Sequence, residues 1–304
     1  MARRFNRREF VRTSAIGLSA MGLSRIGISQ SANADLVVVE GEVVSAAKKA
    51  LWALGGMKRF VKPGMKVLLK PNISFAQGPE KGVNTDPRLV AAIAQECVDA
   101  GASEVLVADF PLYPATLCVW QNGLKEEMDK VKGARVQYFT DSEFFKEVSL
   151  PRAKSLKKAK VLKKVLEADL LINIPRAKTH NATTVTLGMK NWMGVVYDRK
   201  LWHSEHDLSQ AIADFGTLIH PQLTIIDASK PMVDKGPGGP GTLVPLNLVV
   251  AGVNQVEADA LMVSLCEWYG KKYKPSDVKH LKLAEEHGLG NIDLSSLKYS
   301  RLKV

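Results

Sequence analysis

Short, nearly continuous apolar runs recur along this chain with amphipathic helical patterns between them, and that alternation constrains the fold more than any other feature. The runs fall at residues 36–39, 67–70, 105–108, 170–174, 223–226 and 246–250, and the helical patterns at 43–54, 88–100, 117–130, 208–218, 256–268 and 278–287. Strands that are apolar on both sides must be covered on both sides, which is the situation of a parallel sheet sandwiched by helices. The reading is α/β: a mostly parallel sheet with helices on both faces, in a Rossmann-like three-layer architecture. Residues 35–304 are expected to form one domain, with a charged, irregular insertion around 132–164. A chain of 304 residues is long enough for such a core. No apolar run of about 18 residues or more occurs, which excludes a multi-pass membrane protein.

The polar residues fall where the apolar runs stop. Residues 67–69 run into Lys70, Pro71 and Asn72; 105–108 into Asp109; 170–172 into Asn173, then Pro175, Lys178 and His180; and 223–226 into Asp227. In a parallel sheet these carboxyl ends lie on one side, and open α/β sheets bind their ligands in the crevice outside them. A single strand ending in Asp means little, because Asp also caps helices. Four such ends in one chain point to a shared crevice.

The densest candidate stretch is 174–206, which holds Lys178, His180, Lys190, Asn191, Arg199, His203 and His206 among small glycines. Lysine and arginine bind carboxylate or phosphate, and two lysines brought close would depress each other's proton affinity. The bland alternative is a basic surface loop with a helix starting near Lys190. His203 and His206 are three residues apart with Glu205 between them, and His180 could join them. Imidazoles with a carboxylate suit zinc or iron, so these three are the candidates for a divalent metal. His-x-x-His alone is a weak signal, and Asp207 could simply cap the next helix. The glycine-rich segment 235–241 carries two prolines and is followed by no Gly-Lys-Ser/Thr, so it is no phosphate loop; a flap over the crevice and a plain surface turn both fit it.

Charge must be read after setting aside the N-terminus. Arg3, Arg4, Arg7, Arg8 and Arg12 precede a short apolar stretch and then Ala32-Asn33-Ala34, the pattern of an export signal. Arg7-Arg8-Glu9-Phe10-Val11-Arg12 resembles a twin-arginine motif. Six arginines and one glutamate fall in the first 34 residues, which leaves 36 basic and 30 acidic residues to the rest. That remainder is only mildly basic. Its densest basic run, 152–164, has no aromatic interleaving and no nucleic-acid-reading motif, so nucleic acid is not an expected partner. The expected location is periplasmic or otherwise beyond the cytoplasmic membrane, with no stable membrane span once the signal is removed.

Lys70-Pro71-Asn72, Thr85-Asp86-Pro87, the segment 172–180, the segment 186–194 with Lys190-Asn191, Asp227 and the Gly236-Pro237 loop occur in an order similar to that of one family, domain of unknown function 362. The resemblance spans about Lys70 to Gly290 and implies an α/β fold and a site at these residues. Some members are fused to ferredoxin-like modules; with only Cys97, Cys118 and Cys266, this chain lacks the cysteine run such a module needs, and no iron–sulfur cluster is carried over. Asn254-Gln255 stands where the family pattern favours Asp-Pro, while Asp259 matches its second acid.

Two functions stay open. One is an exported enzyme on a small anionic molecule, with Lys70, Lys178, Lys190 and Arg199 holding the anion and Asn72 and Asn191 beside them. His180 or His203 would move a proton, and Asp109, Asp227 and Asp259 would orient these groups or hold a metal. The other is a non-catalytic binding or accessory protein of a periplasmic redox system that uses the same cleft. The export signal has its own test: a mature N-terminus at or near Asp35 on the far side of the membrane, and precursor retained in the cytoplasm when Arg7 and Arg8 are both changed to Lys. Normal export of that double variant would refute the motif.

Overall fold

A computed structural model describes residues 34–304; all but Ala34 of the expected export signal lies outside the described residues. Ten strands build the main sheet: β1 (Leu36–Glu40), β2 (Lys66–Pro71), β3 (Glu104–Asp109), β4 (Ala134–Tyr138), β5 (Leu170–Ile174), β6 (Arg176–His180), β7 (Thr184–Thr186), β8 (Leu223–Met232), β9 (Leu248–Gly252) and β10 (Ser300–Lys303). Their order is β10-β1-β9-β8-β5-β2-β3-β4, with β6 pairing β8 and β7. The pairs from β8 through β5, β2 and β3 to β4 are parallel, and β9 runs antiparallel to both its neighbours.

Alternation along each strand feeds two cores. Val37, Val39, Val67, Leu69, Val105 and Val107 point to one face. Leu36, Val38, Leu68, Leu106 and Ala108 point to the other. Helices α1 (Val43–Ala53) and α2 (Pro87–Asp99) cover the first face. The second is covered by α5 (Leu208–Gly216), α6 (Gln255–Ser264) and α7 (Lys279–Glu286), the numbering leaving α3 and α4 for two short helices at the site. Starts are set by side-chain caps: Glu42 accepts from Val44 N, Asp86 from Arg88 N with Pro87 next, Asp207 from Gln210 N and Asn254 from Val256 N. The chain is therefore α/β, with a mostly parallel sheet between two helical layers.

Three expectations shift. The helix read over 117–130 is two, Ala115–Gln121 and Leu124–Met128, parted by Gly123 at φ 80°. The helix read to 268 ends at Ser264, and Glu267–Trp268 pairs with Lys271–Lys272 around Gly270. The irregular stretch 132–164 contains the edge strand β4 and an antiparallel hairpin, Phe145–Ser149 with Lys158–Leu162, whose Phe145, Ala159 and Val161 join the second core.

The change that matters most is β8. Its first residues, the run read at 223–226, pair with β5, but it continues past Asp227 to Met232 and there pairs with β6. The sheet thus extends beyond its own carboxyl edge and carries Arg176, Lys178 and His180 over the ends of β2 and β3.

One buried acid pins the hairpin to the domain. Asp214 accepts from the backbone N–H of Lys154, Ser155 and Leu156, from Gln210 Nε2, and from His287 Nε2 at 2.9 Å. Removing it would orphan several buried donors at once. Asp214→Ala should lower stability by about 3 kcal/mol in a urea titration, and a loss below about 1 kcal/mol would refute that role.

Candidate functional site

The crevice is built in two storeys. The lower one is neutral. Lys70, at the end of β2, is 1% exposed, and its Nζ lies 2.9 Å from Oδ1 of Asp109 at the end of β3. Asp109 also accepts from Ile73 N and Phe110 N, both at 2.9 Å. A buried charge persists only when paired and hydrogen-bonded, and this one is both. Burial holds the Lys70 amine below its usual range despite the opposing pull of Asp109. Asp227 is likewise committed: it pairs with Arg176 Nη1 at 2.6 Å and accepts from Asp86 N and Ser229 Oγ. Burial alone would raise its pKa, but Arg176 and these hydrogen bonds outweigh it and hold the carboxyl low.

Between the storeys runs a relay of amides. Lys178 Nζ donates to Asn72 Oδ1 at 3.2 Å, Asn72 Nδ2 to Asn191 Oδ1 at 3.2 Å, and Asn191 Nδ2 to Asn173 Oδ1 at 2.9 Å. Lys70 and Lys178 are thus joined through Asn191 and Asn72 rather than set on opposite edges. Asn191 sits on α3 (Gly188–Asn191), a single turn whose first two N–H groups, of Gly188 and Met189, are bound by Asp259 of α6 at 2.7 and 2.8 Å. Burial pushes the Asp259 carboxyl up to about 7 against those two hydrogen bonds. Asn254 caps α6, and Gln255 accepts from Trp192 Nε1 at 3.0 Å, so the departure from Asp-Pro keeps a cap and adds a buried tether.

The upper storey is a cavity of about 110 Å³ whose wall includes Asn72, Lys178, His180, Lys190, Arg199 and His203. Among the described residues, no aspartate or glutamate lines it. Arg199, on α4 (Arg199–Glu205), donates, among the described residues, only to the carbonyls of Phe110, Pro111 and Met193 and stacks on the Phe110 ring at 4.4 Å. Lys178 donates to Val83 O and Asn72 and lies over the Phe75 ring at 4.6 Å. Its pKa is pushed well below the usual range, first by burial, then by Lys190 and Arg176. Lys190 is pushed down to about 8 by burial and by Arg199.

The two crevice histidines stand side by side, ring centroids 6.5 Å apart and 27° from parallel. Burial, then Lys190 and His203, push His180 down to about 2, and burial with Lys190 and Arg199 lowers His203. Both rings are neutral at pH 7. His180 Nδ1 accepts from Ala182 N at 3.1 Å, which assigns its proton to Nε2.

Several expectations need correcting. Lys70, Asp109, Asp227 and Asp259 do not line the cavity; they are occupied by protein partners and hold the side chains that do. His206 leaves the metal set, because its ring bonds Ser155 Oγ at 2.9 Å outside the cavity. Among the described residues, no group of three or more His, Cys, Asp or Glu gathers at metal-binding spacing. The stretch around Lys178 is neither loop nor surface but strand β6, buried throughout. The glycine-rich segment does reach the crevice. Pro237 lines it, Gly236 N donates to Thr179 Oγ1, and a Cβ on Gly236 would fall 2.0 Å from Thr179 O.

Sequence reasoning missed Phe75, Thr186 and His280. Phe75 lies three residues past a flagged asparagine and could have been included. Thr186 lines the cavity, and its buried hydroxyl has no hydrogen-bond partner among the described residues. His280 on α7 is fully buried with neither ring nitrogen bonded, and burial with Lys190 pushes it down to about 3. It reads in sequence as an ordinary helix residue.

Fold and site together define an α/β protein with a cation-walled crevice above the carboxyl ends of a parallel sheet. The family model described as Domain of unknown function (DUF362) matches residues 67–264, which include every residue of the cavity wall, and the chain belongs to that family. Thylakoid-associated protein sll1697 of Synechocystis sp. is 31% identical over 212 residues, covering 65% of this chain and 62% of that protein. Among solved structures, the lactate racemase apoprotein from Thermoanaerobacterium thermosaccharolyticum is similar with a TM-score of 0.45 at 14% identity, covering 77% of this chain and 58% of that one. The chain thus spans less than two thirds of either protein's length.

Gly194 shows how tightly the lower storey is closed. A Cβ there would lie 2.1 Å from Asp109 Oδ1 and 2.8 Å from Lys70 Nζ. Gly194→Ala should split the ion pair and cost about 3–5 kcal/mol in a denaturant titration. Near-parental stability would show that the pair tolerates displacement.

Proposed function

We propose that the crevice binds a small anionic molecule on Lys178, Lys190 and Arg199, in a protein exported by the twin-arginine route. The carrying observation is unequal compensation. Lys70 and Arg176 each face a carboxylate, whereas among the described residues Lys178, Lys190 and Arg199 have none within 4 Å. A buried cation without a counter-ion costs several kcal/mol. A ligand that brings the missing negative charge recovers part of that cost and stabilises the native state by mass action. The Nε2–H of His180 offers the same ligand an uncharged hydrogen bond. Export rests on the N-terminal sequence.

Phosphate, sulfate or citrate should raise the melting temperature, and inert salt should shrink that gain. Lys178→Met and Lys190→Met should each abolish the gain while leaving the anion-free protein unchanged or more stable. The pH dependence follows from Lys190, whose folded pKa of about 8 lies below the ordinary 10.5. Between those values the unfolded chain binds the extra proton, so anion-free stability should rise with pH across that window. Anion stabilisation should be full below about pH 8 and fade above it. Equal anion stabilisation in the parent and both variants would refute the reading.

A further inference from the structure

The three buried or half-buried lysines around the crevice have different partners, and the difference separates their chemistry. Lys70 donates to Asp109 and to Pro71 O at 2.6 Å. Lys178 donates to Val83 O and Asn72 Oδ1 and rests on an aromatic face. Both amines are held as donors. Lys190 is partly exposed at the cavity wall, and among the described residues its Nζ has one hydrogen-bond partner, the Met193 thioether at 3.7 Å. Sulfur is a weak acceptor, so the protein gives a charged Lys190 little hydrogen bonding, and a neutral amine gives up almost nothing.

We propose that Lys190 forms an imine with a small anionic aldehyde or 2-oxo acid whose carboxylate or phosphate is held by Lys178 and Arg199. The inference deepens the anion-binding reading and rests on it. A desolvated lysine beside a second cation is the setting in which an amine becomes a nucleophile, and Arg199 is that cation here. With a pKa of about 8, roughly a tenth of the amine is neutral at pH 7. A cavity of about 110 Å³ suits a compact acid of a few carbons.

The step balances without an oxidant or reductant. The Lys190 nitrogen pair forms the C–N bond as the carbonyl π pair moves to oxygen, which takes a proton. Nitrogen then loses a proton, the hydroxyl is protonated and leaves as water, and C=N closes. The proton lost by nitrogen matches the one taken by oxygen, and the further proton that expels the hydroxyl as water is drawn from solvent. His180, a neutral ring, can hydrogen-bond the carbonyl oxygen through Nε2–H, with His203 beside it to relay protons. The protonated imine carries the charge the ammonium had, so the anion keeps its partner.

The test uses the mature protein with glyoxylate or pyruvate at pH 7 and borohydride, read by intact mass and peptide mapping. One reduced adduct should form on Lys190, at least tenfold faster than on exposed lysines, and excess sulfate should suppress it. Lys190→Arg should lose trapping, because a guanidinium forms no imine; an unchanged melting temperature without anion shows that it folds. No adduct on Lys190 with either compound, or adducts spread evenly over surface lysines, would overturn the proposal. If sulfate still stabilises the parent protein in that case, only the imine falls. If sulfate stabilisation is missing as well, the anion site falls with it.

Discussion

The site depends on one backbone ladder that changes partner midway. β8 is ten residues long, and its hydrogen bonds pass from β5 to β6 at the point where Pro175 interrupts the chain between them. Proline cannot donate to the ladder, so one continuous strand would have an unpaired break there. Instead Asp227 N donates to Pro175 O at 2.9 Å and pairing resumes in the same register at Asp227 and Arg176, then shifts before Met232 pairs with Lys178. That irregular second half of β8 is where Lys178 is held, in contact with Asn72 just past the end of β2.

Electrostatics then divides the two storeys. Below, each cation has its acid, and the geometry is closed tightly enough to exclude a methyl group at Gly194. Above, cations meet carbonyls, amides and aromatic faces, which accept hydrogen bonds or polarise but carry no full charge. The same low dielectric that strengthens the Lys70–Asp109 pair makes the upper cations repel one another. Proton affinities fall in consequence at Lys178, Lys190, His180 and His203. The crevice is a place where positive charge is already in excess.

Much of this was legible in the chain because apolar alternation reports sheet and helices directly. Strand ends at Lys70, Asp109, Asn173 and Asp227 were visible as polarity breaks, and parallel topology gathers such ends. Hydropathy could not show that Arg176, Lys178 and His180 are themselves a strand, since their burial is bought by partners far away in sequence. Nor could it separate an acid that faces a ligand from one that serves the scaffold: Asp227 and Asp259 look alike in sequence, yet one neutralises an arginine and the other holds a helical turn. The apolar run read at 223–226 stops where polar residues begin, at Asp227, and so falls short of β8's end at Met232. The family pattern located the residues without telling these roles apart.

The tether from Asp259 to α3 also has a consequence in time. Gly188 and Met189 are bound by a carboxylate 71 and 70 residues further along the chain. During synthesis the lysines and histidines emerge well before the acid that fixes their turn, and such non-local closure is slow. A nascent chain ending short of residue 259 therefore holds the crevice's cations without the crevice. The crevice itself arrives late, as a property of the nearly finished polypeptide.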